Sequence, residues 1–317
     1  MTAAIKTQGL TKDFGNNRGL FDLNLEVGEG ELLGYLGPNG AGKTTTIRLL
    51  MDLIHATSGT ATVFGLDSHR DAVEVKKLVG YVPGELPNFG GLRGKQIVAY
   101  MAGLRGGQID ESLVEDICKR FSIDLGQRFR EYSRGNKQKL AILLGFMHRP
   151  KLLILDEPTG GLDPLNQQEF NQLVREASRG GATIFLSSHI LSEVEHISDR
   201  VAIIREGRLV RVSRLDELHD IRYHQVEMLF ASDPPVAAIT AAEGVDRVEV
   251  EDHRVRCVVR GSFEPLIKAI ADAHVVNLSS HEPSLEEIFL TYYRGDGTAL
   301  AEAEVEAGTG TGTRAGS

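Results

Sequence analysis

The sequence predicts an α/β protein whose larger part is built on a parallel sheet. Across residues 1 to about 218, short apolar runs alternate with longer helical patterns, the succession that lays helices on the faces of a sheet. The runs at residues 32–36, 152–155 and 182–186 are nearly unbroken in hydrophobicity, which suits strands covered on both faces. The 317 residues suffice for one large domain and a smaller one, or for two domains. With 41% hydrophobic and 25% charged residues, the balance is that of a soluble globular chain.

Charge and cysteine content narrow the function classes. Lys plus Arg total 35 against 44 Asp plus Glu, a net charge of −9. Proteins whose main business is nucleic-acid binding normally carry a basic face, so that class is disfavoured, although a local basic patch is compatible with the balance. Cys118 and Cys257 are too few for a disulfide framework, and a reducing compartment is the default. No stretch approaches the ~20 apolar residues needed to span a bilayer. Residues 1–8 hold no apolar secretory core. The expectation is a cytosolic chain, or one that meets membranes only through a partner.

In chain order, the first informative element is Gly37-Pro38-Asn39-Gly40-Ala41-Gly42-Lys43-Thr44-Thr45. It follows the strand at 32–36 and opens a helix expected over 44–53, the strand–loop–helix setting that a phosphate loop requires. Its glycines let backbone N–H groups curl around phosphate oxygens, and the helix start adds partial positive charge. Lys43 would reach the β- and γ-phosphates, and the Thr44 hydroxyl would ligate Mg²⁺. A glycine-rich turn that merely caps a helix is the plainer reading, and the context disfavours it. Further on, Ser133 is placed to N-cap a helix over 137–148, leaving free N–H groups at its start.

The strand at 152–155 ends in Asp156 and Glu157. In open α/β sheets the chemistry gathers at the carboxyl ends of strands. Asp156 is therefore the expected Mg²⁺ partner and Glu157 the candidate base for an attacking water. His189 follows another buried run that reaches the same sheet edge. A neutral imidazole there could hydrogen-bond a γ-phosphate or hold the water; a hydrogen-bonded loop histidine is the alternative. Residues 219–294 read as a smaller α/β unit, with a hairpin at 248–259, a helix at 263–273 and a strand at 275–278. From residue 295 the chain is Gly, Thr, Ala and Glu without periodicity, so a disordered tail is expected over 295–317. There is no internal repeat.

Taken in order, these residues resemble the nucleotide-binding subunit of an ABC transporter. Gly37 to Thr44 match the Walker A loop, and 152–156 followed by Glu157 match Walker B. Ser133-Arg134-Gly135-Asn136-Lys137-Gln138 looks like the signature motif, Gly161-Leu162-Asp163 the D-loop and His189 the H-loop. Phe14 matches the aromatic that stacks on adenine in this family, with loop packing as the alternative; Asp163, before Pro164, is also an ideal helix start. The resemblance covers about residues 5–215. It implies a P-loop NTPase core with a helical subdomain and an antiparallel β subdomain, and a head-to-tail homodimer that closes Walker A of one subunit and Ser133, Gly135 and Asp163 of the other over ATP. It also implies ATP and Mg²⁺ as cofactors, a separate integral membrane permease, and a place on the cytoplasmic face of the cell membrane. The permease contact is expected around residues 89–100.

Two departures mark this chain. Where the family's Q-loop glutamine follows Tyr81-Val82-Pro83, Gly84 stands, with Glu85 next; Glu85 substitutes as a metal-site residue by a one-residue slip, or the contact is weaker. Arg134 replaces the first signature glycine and either adds charge near the γ-phosphate or points to solvent. Both departures, and the smaller unit, are similar to bacterial ABC ATPases of the drug-exporter type. The implied function is an ATP-hydrolysing motor for export of a drug-like or lipophilic substrate. A non-transport ABC ATPase acting on nucleic acid or ribosomes is the competing class. It fits less well, because the chain holds one motor unit and no long insertion between Lys43 and Asp156.

Overall fold

The structure, a computed structural model, describes residues 3–107, 109–195, 197–215 and 223–281. The chain divides into two compact units, Met1–Leu215 and Asp216–Ser317. The boundary expected near residue 218 and the tail from 295 lie outside the described residues.

The larger unit runs β1 (Ala3–Asp13), β2 (Gly19–Gly28), β3 (Leu32–Leu36), α1 (Lys43–Leu50), β4 (Ser58–Val63), β5 (Leu66–Asp67), α2 (Ala72–Leu78) and β6 (Val79–Val82). It continues through α3 (Gly94–Leu104), α4 (Glu111–Arg120), α5 (Arg134–Phe146), β7 (Leu152–Asp156), α6 (Pro164–Arg179), β8 (Thr183–Ser188), α7 (Leu191–Glu195), β9 (Arg200–Arg205) and β10 (Arg208–Arg214). The main sheet has the order β10-β9-β3-β8-β7-β6, with β10 antiparallel to β9 and the other pairs parallel. A second sheet, β2-β1-β4-β5, is antiparallel. Helices α3 to α5 fill the chain between β6 and β7. These are the core, β subdomain and helical subdomain that the resemblance implies.

Side chains explain why the main strands carry so few polar residues. Leu153 and Leu155 of β7, and Ile184 and Leu186 of β8, enter a core shared with α5 and α6. Their alternates Leu152, Ile154 and Phe185 enter the other core, packed with α1 and the antiparallel sheet. Successive strand residues point to opposite faces, and here both faces are dry. The two-faced antiparallel strand β2 instead alternates buried Leu23, Leu25 and Val27 with exposed Asp22, Asn24 and Glu26. Among the described residues, no helix is long and apolar enough to cross a membrane.

The smaller unit is described from β11 (Tyr223–Phe230) through α8 (Val236–Thr240), β12 (Val245–Glu251), β13 (Arg254–Arg260), α9 (Glu264–Ile270) and β14 (Val275–His281). Its sheet order is β12-β13-β11-β14, every pair antiparallel, a split β-α-β-β-α-β arrangement. Val226, Met228 and Phe230 of β11 share its core with Ile239, Leu266 and Ile270 of the helices. The expected hairpin, helix and last strand are present, the helix shorter at both ends. Strand β11 and helix α8 were not anticipated. Burial raises the thiol of Cys257, in this core, to about 11.

Candidate active site

The loop between β3 and α1 is shaped by positions that accept only glycine. Gly42, the N-cap of α1, has φ +112°, a left-handed value that L side chains rarely adopt. At Gly37 a Cβ would stand 2.4 Å from the Ile204 carbonyl oxygen, so the loop can lie against β9 only without a side chain. Ala41 is buried, and its carbonyl accepts from the Gly207 N–H at 2.9 Å.

Lys43 opens α1 yet is only 4% exposed. Its ammonium donates to the Gly37 carbonyl at 2.6 Å and the Pro38 carbonyl at 3.0 Å, and lies 3.2 Å from a Glu157 carboxylate oxygen. The next residue, Thr44, donates its hydroxyl to Asp156 at 3.0 and 3.3 Å. A hydroxyl and a carboxylate held together at the loop form a hard-oxygen donor set of the kind that suits Mg²⁺. Burial first, and the Asp156 charge second, push the nearby Tyr81 phenol up to about 12.

Strand β8 fixes both acids. Ser187 donates its hydroxyl to Asp156 at 2.8 Å, while its hydroxyl and carbonyl oxygens accept from the Glu157 N–H at 3.1 and 3.2 Å. These bonds hold Glu157 at φ +46°, a strained backbone of the sort that persists where its surroundings over-determine it. His189, one residue beyond β8 and exposed, brings Nδ1 to 3.3 Å from the second Glu157 oxygen. Lys43, Glu157 and His189 thus form one chain of contacts. It borders a cleft of about 440 Å³ whose lining includes Asn39, Gly40, Gly42, Lys43, Thr44, Thr45, Glu157 and Phe14.

Phe14 lies on the tight loop between β1 and β2, closed by its N–H donating to the Arg18 carbonyl at 2.9 Å. The ring is 58% exposed at the cleft rim, so it is not packed within the loop. Ser133 caps α5 by accepting from the Asn136 N–H at 3.2 Å, and Asp163 caps α6 by accepting from the Asn166 N–H at 3.0 Å. Neither of them, nor Gly135, lines the cleft. They form a second group: a Cβ on Gly135 would meet the Gly161 carbonyl at 2.8 Å, and the Arg134 side chain runs beside Gly161. Glu85 is exposed, and among the described residues no hydrogen bond joins it to Thr44, Asp156 or Glu157.

Sequence reasoning missed several residues that hold these groups. Glu193 of α7 accepts from the Thr159 hydroxyl at 2.7 Å and the Ser188 hydroxyl at 2.6 Å, tying the segment after Glu157 to the residue before His189. Gln138 donates from α5 to the Pro158 carbonyl at 2.9 Å while buried. Arg18 and Glu206, with Asn17 and Gly19, complete the cleft lining. The sequence does not mark them: Gln138 and Glu193 sit in helical patterns, where a polar residue reads as surface.

Known proteins bear on this geometry. Residues 20–160 match the family described as ABC transporter. The bacitracin transport ATP-binding protein of Bacillus licheniformis is 34% identical across 93% of this chain and 99% of its own length. The daunorubicin resistance ATP-binding protein of Streptomyces coeruleorubidus is 31% identical across 94% of this chain and 98% of its own. A solved ATP-binding subunit of an ABC transporter superposes with a TM-score of 0.63 at 27% identity, over 68% of this chain and 92% of that one. The glycine-rich loop at Lys43, joined through Glu157 to His189, belongs to a chain that matches such relatives nearly end to end, and that match makes this protein a member of the ABC transporter family, as one of its ATP-binding, ATP-hydrolysing subunits.

Proposed function

We propose that this subunit is the cytoplasmic motor of a membrane exporter, driving a separate permease that moves drug-like or lipophilic compounds. The observation that carries the motor reading is the chain of contacts from Lys43 through Glu157 to His189 beside the Thr44–Asp156 pair. Export is supported by the reach of the match. The bacitracin and daunorubicin relatives align over 93% and 94% of the chain, whereas the solved subunit covers 68%, a share the size of the larger unit. The matches to these two relatives therefore run on into the sequence of the smaller unit.

In this reading Lys43 exchanges its contact with Glu157 for the β- and γ-phosphates, and Phe14 stacks its exposed ring on adenine. Thr44 and Asp156 would hold Mg²⁺, which would supply charge neutralisation on the phosphates. Glu157, oriented by Ser187 and His189, accepts a proton from the attacking water. Ser133, Gly135 and Asp163 do not line their own cleft and in this reading serve the cleft of a second copy. No role in the metal site is proposed for Glu85, which stands exposed beyond Gly84. The permease would dock near residues 89–100, where Leu92 and Tyr100 are exposed.

Light scattering of the Glu157→Gln variant with and without Mg-ATP tests the two-copy site. The expected result is a dimer only with nucleotide. A monomer that has bound ATP would overturn the roles given to Ser133, Gly135 and Asp163.

A further inference from the structure

Away from the nucleotide cleft, two histidines and a carboxylate converge just past the end of α1. Asp52 takes a left-handed turn at φ +49°, set by its own N–H donating to the Leu49 carbonyl at 3.2 Å and the Leu53 N–H to the Arg48 carbonyl at 2.8 Å. One Asp52 oxygen lies 2.8 Å from His69 Nδ1 and 3.3 Å from His55 Nδ1. The two imidazoles meet edge to face with centroids 4.6 Å apart. All three donor atoms lie within 4.8 Å of one another, and no other such grouping of three exists among the described residues.

We propose that Asp52, His55 and His69 bind a divalent transition-metal ion of the zinc class. Bond lengths of about 2.0–2.2 Å at a tetrahedral or octahedral centre put neighbouring donors roughly 2.8–3.6 Å apart, a range that takes in both Asp52–His spacings. The backbone around two ligands is already held. Asp52 is fixed by the turn, and His69 follows Ser68, whose N–H donates to the Ala61 carbonyl at 2.9 Å. The His69 and Arg70 N–H groups donate to the Asp67 carboxylate, both at 2.9 Å. That carboxylate is thereby kept below its usual range, chiefly by these backbone bonds.

The donor set selects the ion. Two imidazoles and one carboxylate suit zinc, cobalt or nickel; a single anionic oxygen is poor for calcium or magnesium, and the absence of a thiolate disfavours copper(I). The ion takes the place of the protons shared between Asp52 and the rings, and water fills the remaining positions. It would join the far end of the helix that begins at Lys43 to the turn that follows β5 of the antiparallel sheet. None of the three ligands lines the nucleotide cleft, so this site is independent of the exporter reading.

The test uses untagged full-length protein without nucleotide, titrated with cobalt(II) followed by visible absorption and with zinc by calorimetry. One ion per chain is expected, with affinity lowered more than ~10-fold in His55→Ala and in His69→Ala. Saturating zinc should raise the melting temperature of the parent by several degrees and leave the double variant unshifted, by mass action on the folded state. His55 is 72% exposed, so its removal leaves the fold intact and basal ATP hydrolysis unchanged. Equal binding by the parent and the double variant, or no cobalt uptake by the parent, would overturn the proposal.

Discussion

Replacing Glu157 by Gln removes one of three groups that hold the Lys43 ammonium, and two opposite effects on the enzyme follow. The carboxylate lies 3.2 Å from the ammonium, so at an effective dielectric of about 20 the attraction is about 5 kcal/mol before desolvation. Glu157 is 34% exposed while Lys43 is 4% exposed, so solvent screening and the cost of ordering the pair leave roughly 1 kcal/mol net. An incoming γ-phosphate competes for the same ammonium and is also repelled by the carboxylate. Glu157→Gln should therefore bind a non-hydrolysable ATP analogue about 5-fold more tightly, since 1.4 kcal/mol is tenfold. Loss of a general base typically costs 10²- to 10⁴-fold in rate, so phosphate release should fall by at least that lower figure. Calorimetry with the analogue and a phosphate-release assay measure the two quantities. A kcat within threefold of the parent, or weaker analogue binding, would refute the place given to Glu157 between lysine and water.

Glu193→Ala should lower kcat by about 10- to 100-fold, the scale on which misplaced catalytic groups act. Analogue affinity should stay within about twofold, because no contact on Lys43 changes; affinity falling in step with kcat would show that Glu193 supports the whole fold rather than the placing of Glu157 and His189. His148 supplies a stability test. Burial first, and the Arg105 charge second, lower its imidazole to about 4, whereas the unfolded chain takes up the proton near 6.5. The unfolded state thus binds more protons between those values, and stability falls as pH drops from about 6.5 to 4. The loss is on the order of 1–2 kcal/mol once partial exposure is allowed for. Urea midpoints of the parent should fall from pH 7 to pH 5 more than those of His148→Leu; identical slopes would refute the assignment.

The phosphate loop, the two acids and His189 were legible because their chemistry constrains residue type and chain position together. Gly37 and Gly42 are needed where a side chain would strike β9 or strain the turn, and Asp156 and Glu157 must end a strand to reach the loop. The supporting residues carry no such mark. Glu193 sits on a five-residue helix where a carboxylate reads as surface, and its value comes from Thr159 and Ser188 meeting it in space. Strand β11 hid for another reason: Leu229 breaks the alternation of Val226, Met228 and Phe230 and is itself partly exposed. Asp52 and His55 follow a helix end and His69 follows β5, so nothing in their spacing announces that the two ring nitrogens share one Asp52 oxygen.

The same contacts explain how one side of the molecule could sense chemistry on the other. Ser187 holds Asp156 and Glu157, and the next carbonyl, of Ser188, accepts from the Gly37 N–H at 3.2 Å. Strand β8 is therefore bonded to the phosphate loop and to both acids before the chain reaches His189. From the acids the linkage runs outward through the turn at 158–161. Gln138 grips the Pro158 carbonyl, and Gly135 lies so close to the Gly161 carbonyl that only glycine fits. Packed elements move as units rather than deforming continuously, so a shift of Glu157 when its lysine contact is exchanged for phosphate must be taken up by that turn or by α5. The cap and first turn of α5 carry Ser133 and Gly135, two of the groups proposed to serve a second copy's cleft. Arg134, where the family has glycine, lies beside Gly161 within this path.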